Sequence, residues 1–202
     1  MIPHLCPRGF FCPQETGLDW MACPPGTYSP ELGLKNAAGC RLCDGGKYCS
    51  FHNATSTSGE CAAGYYCTSG SQLPNPELGL PGSAGPCPSG HYCTPGSIVP
   101  TPCPVGTFSS RTKLHSESEC SPCSPGHFCD APGLVTPAGL CYEGFYCVLS
   151  SASPQPLYVG PAGGPCPSGH FCPPASVFPH PCPAGTYSPI ERQVVCNPCM
   201  EG

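Results

Sequence analysis

Charged side chains are scarce in this chain, with 7 Lys and Arg and 12 Asp and Glu among 202 residues and a net charge of −5. The basic residues form no cluster, which argues against a nucleic-acid or anionic-membrane partner. Leu, Ile, Val and Phe together number only 32, too few for one large core. No uncharged run of 18 apolar residues occurs, so no membrane insertion is expected within this chain.

The chain is instead rich in cysteine, proline and glycine, with 21 Cys, 31 Pro and 26 Gly. A cysteine share near 10% is typical of a disulfide scaffold. Pro and Gly follow no three-residue period, which excludes collagen. Because bridges of this density need an oxidising compartment, the sequence predicts an extracellular protein or a cell-surface ectodomain.

A seven-residue motif, C-x-x-G-x-[YF]-[CS], occurs ten times, and we call each copy a knuckle. Seven copies end in Cys and three in Ser. They start at Cys6, Cys23, Cys43, Cys61, Cys87, Cys103, Cys123, Cys141, Cys166 and Cys182. The glycine is expected to have the positive φ of a type II turn. Frequent Pro and Gly predict short strands and little helix.

The cysteine pattern recurs with a period of about 80 residues, which indicates tandem modules. We predict a small, disulfide-rich fold, an elongated tandem array of modules without a single large core. The divisions are repeat 1 at 1–67, a Pro/Gly linker at 68–86, repeat 2 at 87–147, a second linker at 148–165, and an incomplete repeat 3 at 166–202.

Disulfide connectivity is open, because eight cysteines allow 105 pairings. Internal symmetry favours first-to-third and second-to-fourth pairing in each group of four. The hypothesis gives Cys6–Cys23, Cys12–Cys40, Cys43–Cys61, Cys49–Cys67, Cys87–Cys103, Cys93–Cys120, Cys123–Cys141, Cys129–Cys147, Cys166–Cys182 and Cys172–Cys196. The rival scheme closes Cys87–Cys93 within one knuckle and pairs Cys103 with Cys120.

Two features at the chain ends suggest a segment of a larger secreted or cell-surface protein. Cys6 already belongs to the first motif, with no signal peptide before it. Cys199 is expected to be unpaired, because its knuckle would continue beyond Gly202.

Residues 87–129 resemble the cysteine-rich modules called ephrin-receptor-like, in the style of growth-factor-receptor and tumour-necrosis-factor-receptor repeats. The matching features are the C-P-x-G-T-[YF]-S turn, the C-x-x-C that follows it, and the next G-x-[YF]-C. The resemblance extends over essentially the whole chain in three registers. It implies an elongated ectodomain rod with adhesion, matrix or receptor roles, and it implies no catalytic residues.

No catalytic motif is present, and we predict no catalytic, cofactor-binding or metal-binding residues. Three C-x-x-C pairs occur, Cys40 with Cys43, Cys120 with Cys123 and Cys196 with Cys199. Redox or zinc roles are possible for such pairs, but Pro/Gly-rich surroundings and the spacing favour structural disulfides. His91, His127 and His170 share the fifth knuckle position and are interpreted as solvent-facing.

Asn53-Ala54-Thr55 is the one N-glycosylation sequon, since Asn197 is followed by Pro. Together these features predict a non-catalytic, disulfide-stapled spacer with a protein-binding surface. Its expected partners are extracellular proteins or matrix. The alternative is the ligand-binding ectodomain of a signalling receptor.

Overall fold

The computed structural model describes residues 5–13, 19–77 and 84–200. The rest of predicted repeat 1, part of the first predicted linker and the last two residues lie outside the described residues. Twenty strands, β1 to β20, are Phe10–Phe11, Met21–Ala22, Thr27–Tyr28, Arg41–Leu42, Lys47–Tyr48, Gly59–Glu60, Tyr65–Tyr66, Gly85–Pro86, His91–Tyr92, Thr101–Pro102, Thr107–Phe108, Ser121–Pro122, His127–Phe128, Gly139–Leu140, Phe145–Cys147, Gly163–Pro165, His170–Phe171, His180–Pro181, Thr186–Tyr187 and Asn197–Pro198.

Each strand belongs to a two-stranded sheet, and ten such sheets follow one another along the chain. In every sheet the strand inside a knuckle pairs with the residues just before the next knuckle. β3 and β4, for example, pair antiparallel with Thr27 opposite Leu42. The only helical segments among the described residues are two 3₁₀ turns, Ala37–Gly39 and Glu117–Glu119. The fold is therefore the predicted disulfide-rich class with little helix.

The glycine of every knuckle has a positive φ, between 76° and 84°. In nine knuckles the next N–H donates to the carbonyl three residues earlier, as Phe10 does to Pro7 at 3.2 Å. A positive φ at the third residue of a four-residue turn is the mark of a type II turn and favours Gly. The predicted conformation of the knuckle glycine is confirmed.

Consecutive knuckles are joined by backbone hydrogen bonds that recur at equivalent atoms. Gly26, for example, donates its N–H to the carbonyl of Cys49 at 2.8 Å, and its own carbonyl accepts from Cys43 at 2.8 Å. Cys199 makes the second of these bonds, to the carbonyl of Gly185 at 2.9 Å. Cys199 thus occupies the position of the first cysteine of a knuckle.

Cysteines make up most of the buried hydrophobic residues in the described part of the chain. Apart from Cys, the only fully buried large side chain among the described residues is Leu114. Phe11 packs with Cys23 and Cys40, so its ring covers the bridge of the following knuckle rather than that of its own. Small clusters of a Phe ring and buried cysteines, here and around Phe145, stand in for a single core.

The chain divides into two compact units. Unit 1 comprises Met1–Pro88, Tyr92–Thr101 and Thr112–Ser116, and unit 2 comprises Ser89–His91, Pro102–Arg111 and Glu117–Gly202. Unit 1 contains the strands β1 to β8, and unit 2 contains β11 to β20.

The predicted first-to-third disulfide pairing is wrong. Seven bridges close a knuckle on itself, joining cysteines six residues apart: Cys6–Cys12, Cys43–Cys49, Cys61–Cys67, Cys87–Cys93, Cys123–Cys129, Cys141–Cys147 and Cys166–Cys172. The physical reason is the turn. Because the knuckle glycine reverses the chain, the two Cα atoms come within 5.8–5.9 Å, inside the disulfide range. None of the ten predicted pairs forms.

The remaining three bridges belong to the knuckles that end in Ser. Their first cysteine has no partner within the knuckle and bonds a cysteine further along, giving Cys23–Cys40, Cys103–Cys120 and Cys182–Cys196. The rival scheme is therefore the correct one. Cys199 is free and exposed, as predicted.

Both stretches predicted as linkers fold back onto the preceding knuckle in the same way. The carbonyl of Pro74 accepts the N–H of Ala62 at 2.7 Å, and that of Pro154 accepts the N–H of Tyr142 at 3.0 Å. Each stretch ends in a strand that pairs with the knuckle before it, β8 with β7 and β16 with β15. Their role as domain boundaries stays a prediction.

Candidate functional site

A second backbone position with positive φ follows each of nine knuckles, three or four residues after its end. We call its occupant the return residue. It is Gly33, Asn53, Gly70, Gly96, Lys113, Gly133, Ser150, Ala175 or Arg192, with φ between 54° and 85°. All five non-glycine residues with positive φ in the described chain occupy this one position. Its N–H donates to the backbone carbonyl of the first cysteine in the knuckle before its own. Asn53, which follows the knuckle at 43–49, donates in this way to the carbonyl of Cys23 at 3.0 Å.

The return residue also lies against an earlier glycine, two knuckles before its own. A Cβ added to Gly106 would approach the carbonyl oxygen of Ser150 to 2.7 Å, and one added to Gly144 would approach that of Arg192 to 2.7 Å. The same relation joins Gly9 with Asn53 and Gly90 with Gly133. The knuckle glycine is therefore required for close approach as well as for its φ.

We call the fifth residue of that earlier knuckle the slot residue, and in two pairs the side chain of the return residue lies over it. Lys113 places its Nζ 4.9 Å from the ring centroid of the slot residue Tyr65. Arg192 places its guanidinium carbon 5.3 Å from the ring centroid of the slot residue Phe145. Both distances fall within the range of cation–π attraction.

Slot residues and return residues match in size. The aromatic slot residues Phe10, Tyr65 and Phe145 face the return residues Asn53, Lys113 and Arg192. The remaining five pairs have a non-aromatic or imidazole slot residue and a small return residue: Thr27 with Gly70, Lys47 with Gly96, His91 with Gly133, Thr107 with Ser150, and His127 with Ala175. A larger side chain is thus present only where a phenyl or phenol ring can receive it.

Lys113 has a perturbed pKa. Its pKa is raised chiefly by the hydrogen-bonding interaction with the Tyr65 side chain; desolvation opposes this effect, and Glu77 adds to it. The Nζ lies 3.4 Å from Oε1 of Glu77, and the Tyr65 hydroxyl lies 3.5 Å from the same oxygen. These groups form an exposed cluster that favours the protonated amine.

The three knuckle histidines, interpreted as solvent-facing, are partly exposed. His91, His127 and His170 are half-buried. Each ring has its Nδ1 3.1–3.2 Å from the backbone carbonyl two residues earlier, that of Ser89, Pro125 or Ser168. These carbonyl contacts, together with the return residue Gly133 beside His91, give the rings a role in local packing.

Asn53, the predicted glycosylation residue, is an exposed return residue in unit 1. It lies between the bridges Cys43–Cys49 and Cys61–Cys67 rather than inside a bridge-closed loop. Its slot residue Phe10 is half-buried, and the ring of Trp20 meets it edge-on at a centroid distance of 6.0 Å. Trp20 itself is 50% exposed.

Unit 2 displays a short apolar loop within a long stretch that lacks charge. Leu157, Tyr158 and Val159 are consecutive, and their exposed fractions are 56%, 86% and 77%. No Asp, Glu, Lys or Arg occurs between Glu143 and Glu191. Reciprocal hydrogen bonds between Gly160 and Gly163 fix the end of the loop. Exposed apolar residues without neighbouring charge are typical of protein contact surfaces.

No group of three or more His, Cys, Asp or Glu among the described residues could hold a metal ion. In each C-x-x-C pair the two cysteines serve different knuckles, and Cys40, Cys120 and Cys196 are all bridged to an earlier cysteine. No helix in the described part of the chain has the length and apolar character needed to cross a membrane. Unit 1 has a mainly apolar cavity of about 380 Å³ lined by Pro25, Leu42, Gly70 and Pro76, among others.

The slot–return pairs are the feature that sequence reasoning missed. Their signal was present, because a large residue follows the knuckle end at the return position only where an aromatic slot residue lies two knuckles earlier. Searches for relatives add no assignment, since no family model and no curated protein matches this chain.

Proposed function

We propose that this chain is a non-catalytic extracellular segment, a disulfide-stapled spacer with a protein-binding surface, within a larger secreted or cell-surface protein. Ten bridges in 202 residues point to an extracellular or secreted location. The partners would be extracellular proteins or matrix. We place the modules with the ephrin-receptor-like kind, on the motif resemblance at 87–129.

The observation that carries this proposal is the recurring backbone link between knuckles. Each consecutive pair is joined through the knuckle glycine, the return residue and the cysteines, as at Gly126, whose N–H donates to Cys147 at 2.9 Å and whose carbonyl accepts from Cys141 at 2.9 Å. A knuckle is held by its neighbours in sequence, which is the organisation of a repeat array. Such an arrangement suits a mechanical spacer because its length is set by the number of knuckles.

The apolar loop Leu157–Tyr158–Val159 supports the binding part of the proposal. Aromatic residues are enriched and charged residues depleted at the centres of protein interfaces. A receptor ectodomain that grips a protein ligand through this loop is the second candidate. A full-length gene product that also encodes a membrane span and a signalling domain would favour that candidate.

A thiol count tests the extracellular assignment. The chain is secreted from cultured cells, alkylated under denaturing, chelating conditions without reductant, and weighed. One alkylated cysteine of 21 is the expected result, because Cys199 alone is free. Alkylation of most cysteines would overturn the proposal in favour of a reduced protein.

Small-angle scattering and cell binding test the remaining two parts. A compact chain of this length has a radius of gyration of about 17 Å, and a spacer is expected to exceed that value clearly. Labelled chain should bind the surface of intact cells or deposited matrix. Replacing Leu157, Tyr158 and Val159 with Ser should abolish binding, whereas Ser at the exposed Leu32, Phe51 and Ile190 should not. A compact chain, or equal binding by both variants, would contradict these parts.

A further inference from the structure

We infer that Asn53 carries an N-linked glycan whose first N-acetylglucosamine packs on the ring of Phe10. The inference rests on the proposed extracellular location, because the modification occurs in the secretory pathway. It assigns a modification site and also a docking surface for the attached sugar. The argument comes from the pairing of slot and return residues.

Two of the three aromatic slot residues are visibly covered by the side chain of their return residue. Lys113 lies over Tyr65 and Arg192 over Phe145, at 4.9 Å and 5.3 Å from the ring centroids. Tyr65 and Phe145 are 80 positions apart, and Lys113 and Arg192 are 79 positions apart. The same position thus directs its side chain to the same ring in two distant parts of the sequence.

Phe10 is the third aromatic slot residue, and its return residue is Asn53. The backbone relation is the same, since the Cα of Asn53 lies 3.1 Å from where a Cβ on Gly9 would be, and the Asn53 carbonyl would overlap that Cβ. Asn has no cation and is too short to reach over the ring as Lys and Arg do. A sugar on its amide nitrogen would extend the side chain by one pyranose, in the direction that Lys113 and Arg192 take.

The surroundings of Phe10 suit a sugar. The apolar face of a pyranose ring packs on aromatic surface because both surfaces lose contact with water. Trp20 flanks Phe10 edge-on and is half exposed, which widens the aromatic surface next to Asn53. Asn53 and Thr55 are both exposed, so a glycan meets no obstruction by burial.

The covalent step needs one co-reactant, a lipid-linked diphosphate oligosaccharide. The amide nitrogen of Asn53 attacks the anomeric carbon of its first N-acetylglucosamine. The C–N bond forms as the C–O bond to the diphosphate breaks, the nitrogen loses one proton, and the lipid diphosphate leaves. Thr55 completes the sequon that marks Asn53 for this transfer.

A double-mutant cycle tests the inference on the full chain secreted from cultured cells, with the glycan trimmed enzymatically to one N-acetylglucosamine. Thr55→Ala removes the sugar, Phe10→Ala removes the ring, and the fourth protein carries both changes. Intact mass should show one hexosamine in the two proteins that keep Thr55. Removing the sugar should lower the melting temperature by about 2–4 °C when Phe10 is present and leave it unchanged when Phe10 is absent.

The matched control replaces Tyr65, an aromatic slot residue that pairs with Lys113 rather than with Asn53, with Ala. In that background Thr55→Ala should lower the melting temperature as it does in the wild type. A sugar that stabilises equally with and without Phe10 would overturn the packing. A secreted chain with ten bridges and no hexosamine would overturn the site while leaving the proposed function intact, whereas a chain with most thiols free would remove both.

Nuclear magnetic resonance provides a second readout if Phe10→Ala fails to fold. In the wild-type glycoprotein, the acetyl methyl protons of the sugar should move upfield because they lie over the Phe10 ring. Phe10→Leu keeps the apolar volume and should return the signal to the position of a free glycopeptide. An unshifted signal in the folded wild type would overturn the packing without any variant.

Discussion

The backbone of Gly133 lies so close to Gly90 that a Cβ on Gly90 would overlap the Gly133 carbonyl. Gly169 is its counterpart with the same φ of 76°, but a Cβ there would meet nothing within 4 Å. Gly169 is therefore required only for its backbone conformation, whereas Gly90 is required for its conformation and for the close approach of Gly133.

Gly90→Ala should cost more than Gly169→Ala. Alanine with a positive φ costs roughly 1–2 kcal/mol at either position. At Gly90, forcing a methyl group against the carbonyl adds about 1–3 kcal/mol. Thermal unfolding of both variants measures the two costs, and amide hydrogen exchange at Gly133, whose N–H donates to the Cys103 carbonyl at 2.9 Å, reports the local effect of Gly90→Ala. Equal costs at both glycines would show that the contact with the return residue contributes nothing.

The positive φ at the return position predicts that glycine is better than alanine there. Ala175 has a φ of 65°, so Ala175→Gly should raise stability by about 0.5–1 kcal/mol after the entropic cost of glycine. Ala152 is exposed and outside the set of positive-φ residues, so Ala152→Gly should lower stability by about 0.4–1 kcal/mol. Thermal unfolding of the two variants should shift in opposite directions.

Disulfide connectivity gives a prediction that separates the two pairing schemes. Replacing both Cys123 and Cys129 with Ala should leave one reactive thiol, that of Cys199, because the removed cysteines bond each other. First-to-third pairing would instead leave Cys141 and Cys147 without partners and raise the count to three. Thiol alkylation followed by intact mass measures the count.

The entropy of loop closure in the unfolded chain ranks the two classes of bridge. Cys103–Cys120 closes a longer loop than Cys123–Cys129, with separations of 17 and 6 residues. The loop-closure model assigns about 3.2 kcal/mol to the longer and about 2.4 kcal/mol to the shorter bridge. Removing both cysteines of the longer bridge should therefore lower the melting temperature more. The reverse order would mean that native contacts, rather than loop closure, dominate.

The fold class was predictable because it depends on composition and local turn chemistry. Twenty-one cysteines with few large apolar residues predict a disulfide scaffold, and the knuckle glycine predicts its own positive φ. Symmetry between groups of cysteines predicts the wrong pairing because a single turn already brings the two cysteines of a knuckle together. The decisive signal lies in Ser29, Ser109 and Ser188. Only these Ser-ended knuckles are followed by an extra cysteine, at 40, 120 and 196.

The return position could not be found from residue type alone. It holds Asn, Lys, Ser, Ala and Arg as well as Gly, so local propensity for a positive φ is weak there. What imposes the conformation is the pair of contacts to two earlier knuckles, such as the bond from the Lys113 N–H to Cys87 at 2.8 Å and the close approach to Gly64. These contacts join residues far apart in sequence, and they become visible only when the knuckles are placed in space.

The cluster around Lys113 predicts a specific pH dependence. Its pKa is raised above 10.5, chiefly by the Tyr65 side chain, so the protonated amine is favoured in the folded state. A raised folded-state pKa gives stability that is fully present below the unfolded pKa and is lost as pH rises through the folded pKa. Local protection should therefore fall above about pH 10.5. The midpoint is measured from the ¹³Cε shift of Lys113.

Two variants decide whether this titration has the stated cause. Tyr65→Phe keeps the ring but removes the hydroxyl, so the Lys113 midpoint should move back towards 10.5. Lys113→Arg keeps a cation that stays charged at high pH, so amide protection around Leu114 should no longer decline over this range. Since Leu114 accepts the N–H of Cys93 at 2.9 Å, exchange at Cys93 reports that protection directly. An unchanged midpoint in Tyr65→Phe would assign the shift to Glu77 instead, because its carboxylate is the other group that favours the charged amine.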